Sequence, residues 1–262
     1  MNLLLDPLFR LPFFTGLLFA VLLPLLGMYL RLRGEWLAAL AFAQMASAGT
    51  LLAAMAGLPP QAGGLAAAFL GASLKNLAPA GRGDGSYALM LLTGWGVGVL
   101  VVANVPVAEQ MGHALFDGQL YFTGWPQLAA ALGYLAFALA GLKLLSRPLL
   151  LARYFPDFQR ARGRSEGRYH LAFDWLIAGA LALATASIGV MAAFAFVFVP
   201  PMVAWHHGRG WKRSLLWAAG IGVLCHIAAF AAALLLDQPF GPTAALLLVA
   251  IGLLGRMGHG RS

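Results

Sequence analysis

Charged residues and cysteine are both scarce in this sequence. Of its 262 residues, 10% are charged and 61% are hydrophobic, and the mean hydropathy is +0.82. Water-soluble globular proteins carry about 25% charged residues, so the composition excludes that class and predicts an integral membrane protein. The single cysteine, Cys225, excludes an internal disulfide and any metal site built from several cysteines.

Sequence motifs of catalysis are also missing. There is no His-Glu-x-x-His zinc motif, and the spacing of His226 and Ser187 gives no reason to place them in one hydrolase site. No glycine-rich loop ending in Gly-Lys-Ser or Gly-Lys-Thr occurs, so we do not expect the chain to hydrolyse ATP. The sequence therefore argues against an enzyme.

Long apolar runs fill most of the chain. An α-helix needs about 20 apolar residues to cross a bilayer, whereas a barrel strand would alternate apolar and polar residues. The sequence therefore predicts an all-α polytopic bundle that forms a single domain over residues 1–262. The predicted spans, nine in number, are 11–32, 36–57, 62–80, 87–105, 125–146, 171–187, 189–206, 213–236 and 241–257. We expect a turn at 187–189, because the run from 171 to 205 is too long for one crossing.

The basic residues predict the orientation of the bundle. An outer N-terminus and an inner C-terminus place all of the 17 lysines and arginines except Arg10 on the cytosolic side, as the positive-inside rule requires. This layout gives a large cytosolic loop at 148–170 and an outer loop with a short helix at 106–124. We expect no cleaved leader, because Asp6 and Arg10 precede the first span. The net charge of +8 thus reflects topology and contact with lipid, and no nucleic-acid partner is expected.

Several short motifs follow one another along the chain. They are Pro24–Leu25–Leu26–Gly27 before Arg31 and Arg33, Leu115–Phe116–Asp117–Gly118, Pro156–Asp157–Phe158 with Gly163, Val199–Pro200–Pro201, and Asp237–Gln238–Pro239–Phe240–Gly241–Pro242. Each motif alone is weak. Their shared order resembles the membrane permease subunit of bacterial ATP-binding-cassette (ABC) importers of the zinc/manganese type.

The resemblance implies a function and a set of partners. Permeases of that family sit in the bacterial inner membrane, form dimers, receive metal from a periplasmic substrate-binding protein and dock on a cytosolic ATPase. ATP and magnesium would bind to that ATPase, and no cofactor to this chain. Alternating access would be the mechanism, with kinks supplied by Pro24, Pro200 and Pro201.

The resemblance also assigns a role to the cytosolic loop. Its coupling segment would carry Phe155, Pro156, Asp157, Phe158, Arg160 and Gly163. Two aromatic anchors beside arginines suit a groove on a partner protein. The alternative is a solvated basic loop that meets anionic lipid.

The sequence departs from the family where typical members carry metal ligands. Leu40 and Gln44 stand where the second span usually presents Asp and His, and Leu92 stands near a second family histidine. The candidates that remain along the pathway are Gln44, Met45, Ser47, Thr50, Met55 and His226. Met45 also suits helix packing, and His226 also suits a hydrogen bond to a neighbouring helix. A softer ion, a metal chelate or another small solute therefore stays open as cargo, and so does a membrane scaffold without transport.

One further metal site is conceivable at the outer surface. Glu109, His113 and Asp117 recur every four residues, so a helix over 107–118 would place them on one face. The alternative is a solvated interfacial helix with an ordinary charge pair.

Overall fold

The computed structural model describes residues 7–77, 84–155, 166–208 and 210–257. In these ranges the chain folds as α-helices joined by short connections, as the composition predicts. The helices are α1 (Pro7–Arg33), α2 (Leu37–Met55), α3 (Pro60–Leu77), α4 (Asp84–Asn104), α5 (Pro106–Asp117), α6 (Trp125–Tyr154), α7 (Glu166–Ile188), α8 (Val190–His207), α9 (Trp211–Leu235) and α10 (Phe240–Met257). A short 3-10 helix, Leu120–Phe122, lies between α5 and α6.

Among the described residues, seven helices are long and apolar enough to cross a membrane, namely α1, α2, α4, α6, α7, α8 and α9. α3 and α10 occupy the two remaining predicted spans but fall outside this group of seven. The predicted turn at 187–189 is confirmed, because α7 ends at Ile188 and Gly189 reverses the chain with φ 87°. Glycine adopts this left-handed conformation without the steric cost that a Cβ would add.

Helices extend from both sides into the predicted cytosolic loop at 148–170. α6 continues through Pro148 to Tyr154, and α7 already begins at Glu166. The apolar residues 149–152, which follow Pro148, continue α6, and Leu149 is buried. α6 and α7 therefore leave residues 155–165 between them.

α2 lies at the centre of the bundle and packs against α3, α4, α7 and α8. Its contact with α3 is reciprocal, because a Cβ added at Gly49 would strike Gly63 and Ala67, and one added at Gly63 would strike Gly49 and Ala53. Small residues spaced four apart on both helices let the two backbones touch, which is a common packing mode in membranes.

Two proline–glycine contacts join α1 to α8 and α9. Pro201 has no N–H, so the carbonyl of Val197 loses its helical donor, and Gly27 of α1 packs directly on that carbonyl. Pro24 frees the carbonyl of Ala20 in the same way, and Gly222 of α9 packs on it. The motif prolines and Gly27 thus serve close helix packing, and both helices continue through their prolines.

The bundle has two distinct ends. We call the basic end the one where α1 and α3 end and α4 and α7 begin, because Arg33, Lys75, Tyr87 and Asp174 from these helices meet there. At the opposite end, Gly118 lies against the α7–α8 turn and Leu120 packs near Gly16 of α1.

Candidate functional site: an ionic ring and a polar cavity

A closed ring of four charges lies inside the basic end. Two cations, Arg33 and Lys75, alternate with two carboxylates, Glu35 and Asp174, so that each charge contacts two of the opposite sign. We call this group the ionic ring. It joins the end of α1, the α1–α2 connection, α3 and α7.

The ionic ring has the geometry of direct hydrogen bonds. Lys75 Nζ donates to Asp174 Oδ2 at 2.9 Å and to Glu35 Oε2 at 3.1 Å. Arg33 Nη1 donates to Asp174 Oδ1 at 2.7 Å, and Arg33 Nη2 contacts Glu35 Oε2. The four charges sum to zero, which removes the net charge that burial would otherwise penalise.

Aromatic side chains enclose the ionic ring. The Tyr87 hydroxyl of α4 donates to Glu35 Oε2 at 3.1 Å, and its ring lies 5.0 Å from Lys75 Nζ. The guanidinium of Arg33 lies 5.2 Å from the ring centre of Phe173. The side chains of Arg33 and Lys75 are 5% and 2% exposed, and that of Asp174 is fully buried. Water is therefore largely excluded, and the ion pairs are stronger than pairs at a surface.

Sequence reasoning missed the ionic ring. Arg33 and Lys75 were assigned to the flanks of spans as orientation signals, without partners. Asp174 was the available signal, because an ionisable residue between Phe173 and Trp175 in an apolar span normally has a buried partner. Sequence spacing could not identify the partners, because Arg33 lies 141 positions and Lys75 lies 99 positions away from Asp174.

A cavity of about 270 Å³ lies at the opposite end, and most of its lining is apolar. We call it the polar cavity after the four polar side chains in its wall. Thr50 of α2, Gln61 of α3 and Ala186 of α7 line it together with residues of α5, α6 and the connection that precedes α6. The other lining residues are Pro59, Pro60, Met111, Ala114, Leu115, Gln119 and Gln127. No charged residue is among them, so the cavity offers amide and hydroxyl groups and one thioether.

Of the pathway residues named from sequence, only Thr50 lines this cavity. Gln44 and Ser47 are buried in α2, at 4% and 3% exposed. Thr50, three residues further on, reaches the cavity wall, and its hydroxyl donates to the carbonyl of Ala46. Met45 packs against Gly71 of α3, which fits the packing role that its sequence also allowed.

The two leucines at family ligand positions lie in different surroundings. Leu40 is half-buried against the main core of the bundle. Leu92 is 58% exposed on α4. Neither position brings a metal-binding group near Gln44.

The short helix expected over 107–118 forms as α5 (Pro106–Asp117). Glu109 and His113 are both exposed on α5, and the side chain of Asp117 lies outside what the structure describes. Within the described part of the chain, no three His, Cys, Asp or Glu side chains are grouped closely enough to hold a metal ion.

His226 is fully buried in α9 among aromatic side chains. Its ring lies 5.3 Å from that of Phe13 and 5.4 Å from that of Phe240. Its Nε2 lies 3.0 Å from the carbonyl oxygen of Phe13, a distance that fits an Nε2–H donor. The hydrogen bond to a neighbouring helix is therefore present, and His226 stands apart from the cavity.

The motif at 237–242 shapes the connection between α9 and α10. Asp237 adopts φ 51°, and the N–H of Gln238 donates to the carbonyl of Ala233, which closes the end of α9 as a Schellman-type cap. α10 begins directly after Pro239, with Gly241 and Pro242 in its first turn. Burial raises the pKa of Tyr121 to about 12, and the negative charge of Asp237 adds to that rise. The motif is thus a backbone turn.

Phe155 follows the last residue of α6 and is 62% exposed. The remaining residues named for coupling, Pro156, Asp157, Phe158, Arg160 and Gly163, lie outside the described residues. The aromatic end of α6 also includes Tyr154, which is 60% exposed.

The sequence matches the ABC 3 transport family over residues 6–258. The chain belongs to this family. It is thus a multi-pass membrane permease of an ABC transporter, and the family resemblance drawn from its motifs is confirmed.

Two solved structures share the fold of this ABC permease. PsaBC from Streptococcus pneumoniae, in complex with Fab, is similar with a TM-score of 0.84 and 17% identity over 97% of this chain and 92% of that one. An inward-facing transporter assigned to the metal-chelate ABC type has a TM-score of 0.76 and 16% identity over 94% and 85% of the two chains. No curated protein matches this permease.

Proposed function

We propose that this ABC permease imports a divalent metal of the zinc or manganese type across the bacterial inner membrane. The observation that carries the proposal is the family match over 6–258, together with the order of the motifs that resemble such importers. In this proposal α3 and α10 complete nine spans, with the N-terminus outside and the basic end in the cytosol.

Partners would occupy the two ends of the bundle. An ATPase would dock at the basic end on Tyr154, Phe155 and the segment to Gly163, because exposed aromatic side chains make effective anchors. A substrate-binding protein would cover the polar cavity at the opposite end. A second copy of the permease would complete the transporter, and ATP and magnesium would bind to the ATPase.

A metal chelate is the second candidate for the cargo. The cavity carries amides from Gln61, Gln119 and Gln127 and no carboxylate. Such a wall hydrogen-bonds to a complex that brings its own ligands, whereas a bare manganese ion prefers carboxylate oxygens. The absence of ligands at Leu40 and Leu92 favours the same cargo.

Uptake assays separate the two candidates. A deletion strain grown under chelation should recover with the wild-type gene and one added metal, and its cells should accumulate that metal. If recovery needs the metal together with an added chelator of defined structure, the chelate is the cargo. If no metal restores growth in either form, the metal assignment is wrong.

Docking can be tested by removing the aromatic anchors. Phe155→Ser with Phe158→Ser should abolish capture of the ATPase by the tagged permease while membrane insertion continues. Phe122→Ser is the matched control, because Phe122 is 86% exposed at the opposite end. Undiminished capture by the double variant would contradict the docking role.

A further inference from the structure

The ionic ring and the polar cavity lie at opposite ends of the same three helices. α2, α3 and α7 contribute Thr50, Gln61 and Ala186 to the cavity. At their other ends, Glu35 directly precedes α2, while Lys75 and Asp174 lie on α3 and α7. The three helices therefore border an accessible space at one end and a sealed ionic contact at the other.

We propose that the ionic ring is the gate that closes the transport path at the basic end. A permease must open its two ends alternately, and opening here would move α7 away from α1 and α3, which breaks both ion pairs of Asp174. Because each charge is shared by two partners, no helix can leave without exposing an unpaired charge in a poorly hydrated site. The ring would thus open as a unit, which suits a two-state element.

Asp174 is the residue that links this gate to the ATPase side. It lies near the start of α7, shortly after the 155–165 connection, and bonds to α1 through Arg33 and to α3 through Lys75. A displacement of the start of α7 would therefore withdraw one carboxylate from both cations. We assign Asp174 the role of a positioning residue for gating.

A purely structural clamp would not need this chemistry. Apolar side chains of similar volume commonly stabilise a buried site as well as an ion-pair network does. The closed ring also leaves Arg33 Nε buried without a hydrogen-bond partner among the described residues. An unsatisfied buried donor makes the closed state less stable relative to an open state. A gate that must open and reclose requires such a small difference in free energy.

Cysteine accessibility tests the gate in lipid nanodiscs, where both faces meet the solvent. Ala39 is fully buried one helical turn beyond Glu35. Ala39→Cys, placed in a Cys225→Ala background, should react slowly with a cationic methanethiosulfonate reagent. Lys75→Met or Asp174→Asn should accelerate its labelling about tenfold, as expected if an open state rises from about 1% to about 10% of the population.

Three controls separate gating from damage to the fold. Lys75→Arg keeps the charge and should preserve slow labelling, and Lys143→Met removes an exposed charge from α6 and should do the same. The native Cys225, 1% exposed in α9, should stay unlabelled in the ring variants without Ala39→Cys.

Each other outcome overturns the proposal. Fast labelling of Ala39→Cys with an intact ring would show that the basic end is open, and unchanged slow labelling in both neutralised variants would show that the ring does not hold it closed. Joint exposure of Cys225 would show that the ring only stabilises the bundle. The inference rests on the transport role of the permease, and the labelling uses neither metal nor ATPase, so its failure is distinct from failure of the proposed cargo.

Discussion

The two ends of this permease solve opposite physical problems with the same helices. At the basic end, four charges are buried and mutually paired, so that water is excluded and the helices are held together. At the opposite end, the walls of a 270 Å³ cavity carry neutral amides and a hydroxyl group and no charged side chain. Polar side chains therefore occur at both ends of the bundle, and their presence alone does not identify the proposed transport path. Paired charges fill one end, and a cavity with neutral polar side chains lies at the other.

The largest expected effect comes from unbalancing the basic end. Asp174→Ala leaves Arg33 and Lys75 sharing one carboxylate, and breaking a buried ion pair in this way costs about 3–5 kcal/mol. The loss is measured as a lower thermal midpoint of the purified permease in detergent. Glu109→Gln is the control, because its exposed side chain at the opposite end should change stability by less than about 0.5 kcal/mol. Equal midpoints for the two variants would contradict the contrast between the ends.

A pair of turn glycines compares the ends directly. Gly118 at the opposite end has φ 84°, and a Cβ there would lie 2.6 Å from the backbone of Ile188. Gly34 at the basic end has φ 73° with nothing within 4 Å. Gly34→Ala should therefore lower the free energy of unfolding by about 1 kcal/mol, because alanine must adopt the left-handed conformation. Gly118→Ala should lower it by about 2–3 kcal/mol, because its Cβ also meets the backbone of Ile188.

Thermal unfolding of both glycine variants in one detergent checks this order. A larger loss for Gly34→Ala would indicate that the contact of Gly118 with the α7–α8 turn is not maintained in the membrane protein.

The cavity should govern transport with little effect on stability. Gln119 is exposed in the cavity wall, so Gln119→Leu should leave the thermal midpoint within about 0.5 kcal/mol of the parent. It should raise the cargo concentration for half-maximal uptake about threefold to tenfold, because one hydrogen bond to the cargo, worth about 1 kcal/mol, is lost. Gln238→Leu, outside the cavity at the same end, should leave uptake unchanged. Identical uptake by both variants would remove the cavity from the path.

The smallest effect on uptake is expected at His226. Glutamine retains a donor that reaches the Phe13 carbonyl, so His226→Gln should change uptake by less than about twofold and stability by about 1 kcal/mol. Uptake and thermal midpoint are measured on the same preparation. Loss of uptake in a stable His226→Gln protein would restore His226 as a pathway ligand.

The fold was accessible from sequence wherever the signal was local. Long apolar runs located the helices that cross the membrane, and Gly189 located the turn between α7 and α8. The end of α6 was missed, because Pro148 and the neighbouring basic residues are typical of a loop, whereas the packing of Leu149 extends the helix.

The candidate site was less accessible. Gln44, Met45, Ser47 and Thr50 were candidates by their position in α2. The structure buries or half-buries the first three outside the cavity lining, and Thr50 alone of these four reaches the cavity wall. The motif residues Gly27, Gly118 and Asp237 proved to be points of close packing or positive φ. Their chemistry is that of the backbone, which sequence patterns represent only indirectly.

The sequence by itself determined that this chain is a helical membrane protein, where most of its helices run and to which family it belongs. These properties depend on hydropathy over about 20 residues and on short motifs, both of which are local. Only the tertiary structure decided that Arg33, Glu35, Lys75 and Asp174 form one ring, and that Thr50 and Gln61 share a cavity. Charges at the ends of different helices can pair in many ways, and the packing of small residues such as Gly49 and Gly63 selects one of them.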